Sequence, residues 1–211
     1  MTVERDTKQR IIHAAVELFH ARSYDAVGVA EICQAAGVVK GSFYHFFASK
    51  DDLVLAVIDA VFDHFNAVLK QVFADEVPPL QRIERLFHIV AEQSRHMKRR
   101  HGRVLGCPFG NLTTELSTQN EAVRRRLAAV YDRIGRYFEQ AIRDAIDQGQ
   151  LDPCTDVRST AQSLVAFMQG LALIGKAYNR PAMMERLIPY ALQMIQPAAG
   201  LERIAGRSGV S

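Results

Sequence analysis

The chain has 211 residues, 48% of them hydrophobic, and a formal net charge of +3. This apolar share supports a packed core, so we expect a folded protein of one medium domain, or of a small domain joined to a larger one. The longest apolar runs fall well short of the roughly 20 residues that a membrane span needs, and the charged N-terminus lacks the apolar segment of a secretory signal. We therefore expect a soluble, cytoplasmic protein without a membrane segment.

The cysteines and polar motifs do not favour metal binding or catalysis. Cys33, Cys107 and Cys154 lie far apart and belong to no paired-cysteine or cysteine–histidine motif, which argues against a disulfide framework and against structural zinc. The sequence also lacks a nucleophile elbow, a phosphate-binding loop and a spaced pair of carboxylates. We expect no cofactor, no metal and no enzymatic activity.

Helical periodicity dominates the N-terminal part of the chain. The first helix carries apolar residues on one face between Ile11 and Phe19. A short amphipathic segment over Val29–Ala36 ends at Gly37, which suits a left-handed turn, and a second short helix follows over Lys40–Phe46. A short helix, a glycine turn and another short helix form the helix-turn-helix arrangement, whose second helix enters the major groove of DNA.

Six further helices are predicted for the rest of the chain. The fourth covers about Lys50–Ala74, and Pro78 and Pro79 interrupt the chain after it. The fifth helix runs to about residue 99, the sixth begins near Pro108, and the seventh ends at Gly149. The eighth and ninth cover about residues 157–178 and 181–195. We therefore predict an all-α fold with an N-terminal three-helix helix-turn-helix domain and a C-terminal bundle of about six helices. The apolar faces of the last two helices predict a homodimer through these helices.

The helix-turn-helix region resembles the TetR family of transcriptional regulators. The resemblance rests on Ile12-x-x-Ala15-x-x-Leu18-Phe19, Ile32-Cys-x-Ala-Ala-Gly-Val38, Lys40-Gly-Ser-Phe-Tyr-His-Phe46 and Ser49-Lys50-Asp-Asp-Leu53. It implies a DNA-binding domain over residues 5–65, with the helix-turn-helix at about 28–47. An effector-binding and dimerisation domain over 78–197 and a flexible tail over 198–211 would follow. It further implies a repressor that a small-molecule effector releases from a pseudo-palindromic, double-stranded operator.

The resemblance also assigns DNA contacts. The residues expected to contact phosphate are Lys40, Tyr44 and Lys50. Those expected to face the bases, or to pack beside them, are Gly41, Ser42, Phe43 and His45. Val39 departs from the family, which commonly has Ser or Thr at this position.

The segment Gly106-Cys107-Pro108 is the most informative part of the second domain. Pro108 suits the first position of a helix, which would make Cys107 its N-cap, where the helix dipole favours a thiolate. Nearby arginines act in the same direction: Arg99, Arg100 and Arg103.

This helix start resembles a TetR branch in which a cysteine senses electrophiles, and it also resembles relatives that bind aromatic effectors. Two interpretations stay open: a thiol-sensing repressor acting through Cys107, or a cysteine that packs as a small apolar residue beside an effector pocket. The other candidate effector contacts are Phe87, Phe109, Asn111, Tyr131, Phe167 and Gln169.

Two charged patterns in the fifth helix also allow more than one interpretation. The basic run Arg95–Arg103 suits either a second DNA contact or a solvated helix end, and the preference of cations for helix C-termini favours the latter. Acidic and histidine residues recur every four positions, as metal ligands can, but they drift off the apolar face and are expected to form ion pairs: Glu84, His88, Glu92 and His96.

Overall fold

The computed structural model of the chain describes residues 2–74 and 76–195. Within these ranges all regular secondary structure is helical, which confirms the predicted all-α fold. The helices are α1 (Thr2–Ala21), α2 (Val29–Ala36), α3 (Lys40–Phe46), α4 (Lys50–Val72), α5 (Pro79–His101), α6 (Pro108–Leu116), α7 (Glu121–Asp147), α8 (Val157–Tyr178) and α9 (Pro181–Ile195). The tail expected over residues 198–211 lies outside the described residues.

The first three helices and the start of α4 enclose a small core. Ile11 of α1, Ile32 of α2, Phe43 of α3 and Leu53 of α4 are completely buried there. Burial of a side chain of this size stabilises the fold by about 1.5–3 kcal/mol. Phe43, together with the half-buried Phe46 and the buried Phe47 that follows, attaches α3 to this core and fixes its orientation.

The helix α4 packs both on the N-terminal helices and on the C-terminal bundle. It contacts α1 and α7, and its polar contacts with the α7 region extend from Asp51, which accepts from Asn120, to Asn66, which accepts from Tyr137. Leu53 and Ile58 are buried near the first contact, and Phe62 and Leu69 are buried farther along the helix. A wide apolar arc of this kind allows one helix to pack on two sides. The helix therefore joins the N-terminal helices to the C-terminal bundle.

The C-terminal bundle is built from α5, α7, α8 and α9, with α6 packed on α7. The rings of Phe87 and Phe138 stack between α5 and α7 with their centroids 6.1 Å apart. One charged pair is enclosed with them: the Arg82 guanidinium donates to the Val77 carbonyl and to the Asp144 carboxylate, each at 2.5 Å. Its pairing with a carboxylate offsets the desolvation of the buried guanidinium.

Neither a membrane-spanning helix nor a group of metal-binding side chains is present among the described residues. Among residues 2–74 and 76–195, no helix has the length and apolar character required to cross a membrane. No group of three or more His, Cys, Asp or Glu side chains in this part of the chain is arranged to hold a metal ion. The regular spacing on α5 instead includes a contact of 3.9 Å between His88 and Glu84 on the exposed side of the helix.

Candidate DNA interface and its link to the second domain

The turn between α2 and α3 is held by a glycine and an arginine. Gly37 has φ 63° and ψ 42°, and its N–H bonds to carbonyl groups at the end of α2. L-residues with a side chain seldom adopt this left-handed conformation. From α1, the Arg10 guanidinium donates to the carbonyl oxygens of Ala36 at 2.5 Å and Gly37 at 2.9 Å. These two bonds fix the turn, and with it the angle between the helices.

The outer face of α3 presents polar groups and backbone to solvent. Lys40, Gly41, Tyr44 and His45 are exposed, and Ser42 is half-buried. Tyr44 has 56% of its surface exposed, which is unusual for a large ring unless the side chain has a partner outside the subunit. A hydroxyl, an imidazole and an ammonium on one short helix match the chemistry of phosphates and base edges.

Phe43 differs from the other predicted DNA contacts because it has no exposed surface. Its ring packs against Tyr44 and Phe47, with centroids 5.2 and 5.8 Å away. A contact between Phe43 and a base is therefore a wrong expectation. Of the two roles considered, only packing fits, because the apolar core of the N-terminal helices excludes this ring from the groove.

Lys50 has intramolecular partners that the sequence does not reveal. Its ammonium donates to the carbonyl oxygens of Tyr24 at 3.0 Å and Val27 at 3.2 Å, and it lies 3.9 Å from the centroid of the Tyr24 ring. The side chain is only half-buried there, and the phosphate contact expected of Lys50 stays a prediction. Lys50 here holds that turn against the start of α4.

The same turn is bound by the second domain. Glu115 of α6 accepts a hydrogen bond from the backbone N–H of Tyr24 at 3.0 Å and another from that of Asp25 at 2.8 Å. At the end of α1, the His20 ring nitrogen Nε2 bonds to the Gly106 carbonyl at 2.9 Å. Both links join residues more than 80 positions apart, so local sequence patterns do not reveal them.

An apolar cavity lies where the two domains meet. Its walls come from α1, α4 and the start of α6, and include Val16, His20, Val57, Val61, Pro108 and Leu112. Burial in this region lowers the pKa of His20, because the charged ring would lose its hydration, and the nearby Lys176 and His101 act in the same direction. We conclude that an incompletely filled apolar contact lies beside the hydrogen bonds that link α1 to the start of α6.

Basic side chains at the end of α5 bind to groups on neighbouring parts of the chain. Arg100 pairs with Glu17 of α1 at 3.1 Å, and the Arg103 guanidinium donates to the Ala21 carbonyl at 3.2 Å. Lys98 donates to the Asn179 carbonyl at 2.7 Å. A helix C-terminus stabilised by cations thus also anchors the end of α1.

Cys107 is the N-cap residue of α6, as the position of Pro108 predicts. Burial raises the pKa of the Cys107 thiol, although hydrogen bonds from the Gly110 and Phe109 backbone and from the Gln169 side chain act against this effect. The expected preference for a thiolate is therefore wrong for this conformation. The arginines invoked for it are engaged elsewhere, Arg99 with Glu92 at 3.1 Å and the other two with α1.

The structure brings together only part of the predicted effector site. The Gln169 side chain of α8 forms a hydrogen bond with Cys107 at the start of α6. The Tyr131 hydroxyl of α7 lies 2.9 Å from the hydroxyl of Thr113, which is also on α6. Burial raises the pKa of Tyr131 to about 12, so its hydroxyl remains protonated and able to donate.

The other three aromatic candidates and Asn111 lie in separate contacts. Phe87 packs on Phe167 with centroids 5.8 Å apart, whereas Phe109 faces Phe62 of α4 at 6.4 Å. Asn111 accepts from the Lys176 ammonium and donates to the Leu105 carbonyl, each at 2.9 Å. An effector that touched all the predicted residues would have to rearrange these contacts.

Comparison with known proteins identifies both parts of the chain. Residues 11–57 match the family described as bacterial regulatory proteins, tetR family, and residues 82–191 match the tetracyclin repressor-like C-terminal domain. The transcriptional regulator AcuR of Cereibacter sphaeroides is 37% identical over 174 residues, which are 82% of this chain and 78% of that protein. The transcriptional repressor DhaR of a Mycobacterium species is 25% identical over 202 residues, or 95% of this chain and 97% of its own.

A solved structure supports the same assignment. The regulatory protein TetR from Rhodobacter sphaeroides superposes with a TM-score of 0.78 at 33% identity, covering 88% of this chain and 97% of that one. The named relatives are transcriptional regulators, and the exposed polar face of α3 follows the helix-turn-helix turn that such proteins use on DNA. This chain belongs to the TetR family of DNA-binding transcriptional regulators.

Proposed function

We propose that the protein is a homodimeric repressor that binds a pseudo-palindromic operator and leaves it when a small molecule binds the second domain. The DNA-binding unit would cover residues 5–65 and the effector and dimerisation unit residues 78–197. The observation that carries the proposal is the exposed face of α3, where Lys40, Tyr44 and His45 project from a turn that Arg10 and Gly37 hold. Lys40 and Tyr44 would contact phosphates, and His45, Gly41 and Ser42 would face the bases.

The proposed dimer rests on an apolar surface formed by α8 and α9. Large side chains on these helices remain widely exposed in the subunit: Leu173, Ile174, Tyr178, Tyr190 and Met194. These side chains lie apart from the apolar faces that are buried within the subunit and that include Leu164 and Ile188. Exposed apolar side chains favour association, and a second copy of the same helices would cover them as a four-helix bundle. A twofold dimer would present two copies of α3, which must lie about 34–36 Å apart to reach successive turns of the major groove.

The effector would act through the start of α6. Polar groups from three helices meet there, namely the Cys107 thiol, the Gln169 amide and the Tyr131 hydroxyl, next to apolar and aromatic side chains. This composition suits a small, largely apolar molecule with one or two hydrogen-bonding groups. Such a ligand would release DNA by binding more tightly to a conformation in which the two copies of α3 are wrongly spaced.

A selection experiment tests the proposed function. The purified protein is mixed with a pool of randomised duplexes, and the bound fraction is sequenced over several rounds. We expect enrichment of two inverted half-sites whose centres lie about one helical turn, or a multiple of it, apart. Compounds are then screened for release of the selected duplex. Equal binding of selected and randomised duplexes would refute the proposed function.

A second candidate function is electrophile sensing by Cys107. The position of Cys107 at the N-cap of α6 and its partial exposure favour this function, although burial raises the pKa of the thiol and so disfavours the thiolate on which alkylation depends. The probe is N-ethylmaleimide, whose double bond adds the thiolate sulfur at one carbon and a proton at the other. A Cys154→Ser background removes the exposed thiol. Loss of operator binding that Cys107→Ser abolishes would support this function, and unchanged binding by alkylated protein would exclude it.

A further inference from the structure

We propose that Glu115 is the positioning residue that transmits movement of α6 to the helix-turn-helix. This inference rests on the proposed function, because it assigns a route by which the second domain acts on DNA binding. The route runs from the Cys107 end of α6, along the helix, to the turn between α1 and α2. It then continues through Tyr24 to the start of α4.

The contact itself is bidentate and charged. The two carboxylate oxygens of Glu115 accept from different backbone groups, Oε2 from the Tyr24 N–H at 3.0 Å and Oε1 from the Asp25 N–H at 2.8 Å. Hydrogen bonds to a carboxylate are about twice as strong as neutral ones, and two of them fix direction as well as distance. The turn therefore has to follow the end of α6 when that helix moves.

Tyr24 passes this restraint to the DNA-binding helices. Its hydroxyl donates to the Asp51 carboxylate, and its carbonyl accepts from the Lys50 ammonium at 3.0 Å. Both partners are in the first turn of α4, directly after α3. Tyr24 is also buried against Phe19, with ring centroids 5.2 Å apart. A displacement of the turn would therefore move the start of α4, the helix that follows α3.

The opposite end of α6 lies at the proposed effector site. Cys107 caps the helix there and is bonded by Gln169 of α8. The helix has 9 residues, so about 13 Å separates its two ends. The start of this helix also borders the small apolar cavity between α1, α4 and α6, through Pro108 and Leu112.

The chemistry of the contact specifies the variants. Glu115→Gln keeps the size of the side chain but leaves one acceptor oxygen for two N–H groups, whereas Glu115→Ala removes both acceptors. Glu139→Gln on α7 serves as the matched control, since Glu139 only pairs with Arg143 within its own helix. Because Glu115→Gln is nearly isosteric, it tests the proposal even if Glu115→Ala folds poorly.

The test is hydrogen exchange of the full-length protein, free and saturated with the selected operator. In free protein, the amides of Tyr24 and Asp25 should exchange about tenfold faster in Glu115→Ala than in wild type, with Glu115→Gln in between. Because coupling is reciprocal, operator binding should slow exchange in residues 108–116 of wild type by roughly fivefold or more. In Glu115→Gln this effect should be lost while protection of α3 by DNA persists.

The outcomes separate this inference from the function on which it rests. Failure of the wild-type protein to prefer any duplex would refute the proposed function, and the operator arm of the test would then count against the coupling too. If the protein binds its operator, but α6 is protected equally in Glu115→Gln and wild type, the coupling through Glu115 is wrong while the repressor function stands. Absence of α6 protection in wild type leads to the same conclusion.

Discussion

Tyr44 and His45 are neighbours on the exposed face of α3, yet they should contribute differently to operator binding. Tyr44→Phe removes a hydroxyl that would bond phosphate, so we expect affinity to fall by up to about tenfold on every duplex, with no change in base preference. His45→Ala should instead relax preference at one position of each half-site, where the discrimination is about 1–3 kcal/mol. Binding titrations against the selected operator and its single-base variants measure both effects.

The opposite pattern would contradict this assignment. If Tyr44→Phe relaxed base preference and His45→Ala weakened all duplexes equally, the two side chains would have exchanged roles. A randomised duplex provides the control for binding that depends on charge alone, because such binding is insensitive to sequence.

His20 should make the stability of the protein depend on pH. Burial lowers its pKa below the ordinary value of 6.5, so the unfolded chain binds this proton more readily than the folded chain does. The contribution of neutral His20 to the free energy of unfolding is therefore complete above pH 6.5. It is lost progressively as the pH falls from 6.5 through the lowered pKa of the folded state.

Other charged groups also act on the His20 ring, namely Glu17, Lys176 and His101. The substitution therefore has to remove the titration of His20 and leave these groups in place. His20→Gln can still donate to the Gly106 carbonyl but does not titrate, so its urea unfolding midpoint should fall less than that of wild type between pH 7.5 and 5. His88→Gln, at an exposed position on α5, is the control and should retain the wild-type pH dependence. A wild-type slope in His20→Gln would show that other groups cause it.

At the scale of elements, the turn between α2 and α3 sets the angle between these two helices. Gly37→Ala should lower the free energy of unfolding by about 1–2 kcal/mol, because a side chain disfavours the left-handed conformation. The new Cβ would also lie 2.7 Å from Arg10 Nη2 and displace the guanidinium from the turn. Urea denaturation at fixed protein concentration measures the loss.

Gly41→Ala is the matched comparison for this substitution. Gly41 lies inside α3, has no positive φ, and an added Cβ would meet no atom within 4 Å. Alanine in a helix interior is favoured over glycine by about 0.5–1 kcal/mol, so this variant should be more stable than wild type. Equal effects of the two substitutions would mean that the conformation of Gly37 is not what makes glycine necessary.

The same elements show how far sequence reasoning extends. The patterns around Gly37, Ser49 and Pro108 predict helix ends that the structure confirms, because turns and caps depend on neighbouring residues alone. The predicted end of α4 at Ala74 is two residues beyond the observed end at Val72, a difference that is ordinary for frayed helix termini.

Features that depend on the tertiary surroundings could not be predicted from the sequence. Nothing local reveals that Lys50 turns towards the Tyr24 carbonyl, or that burial raises the pKa of Cys107. Phe43 is the instructive case, since its place within a DNA-reading motif suggested exposure, whereas the helical periodicity of the motif puts it on the inner face with Phe47. The roles of the exposed residues of α3 in DNA binding stay predictions.

At the scale of the whole molecule, dimerisation should depend on the exposed apolar residues of α8 and α9. Leu173→Glu introduces a carboxylate into the proposed interface, where an unpaired charge costs several kcal/mol, so the Kd of the dimer should rise by about tenfold or more. Sedimentation equilibrium measures the dissociation. Operator affinity should fall with it, since one subunit reaches only one half-site.

Ala128→Glu is the control for the added charge, because Ala128 is exposed on α7, outside the proposed interface. It should leave both dimerisation and operator binding close to those of wild type. Dimers of unchanged stability in Leu173→Glu would place the subunit contact on another surface.

The packing of α4 on both the N-terminal helices and the C-terminal bundle limits how this protein can be recombined with its relatives. Cutting the chain near residue 65 would separate Phe62 from the C-terminal half of the helix and leave buried positions such as Leu69 without their neighbours. A chimaeric sensor would therefore have to be joined after Val72, and its new ligand domain would need a seventh helix shaped to the retained α4 surface. The length of DNA-reading sequence that can be transplanted is thus set by where a helix ends, and not by where the sequence motif does.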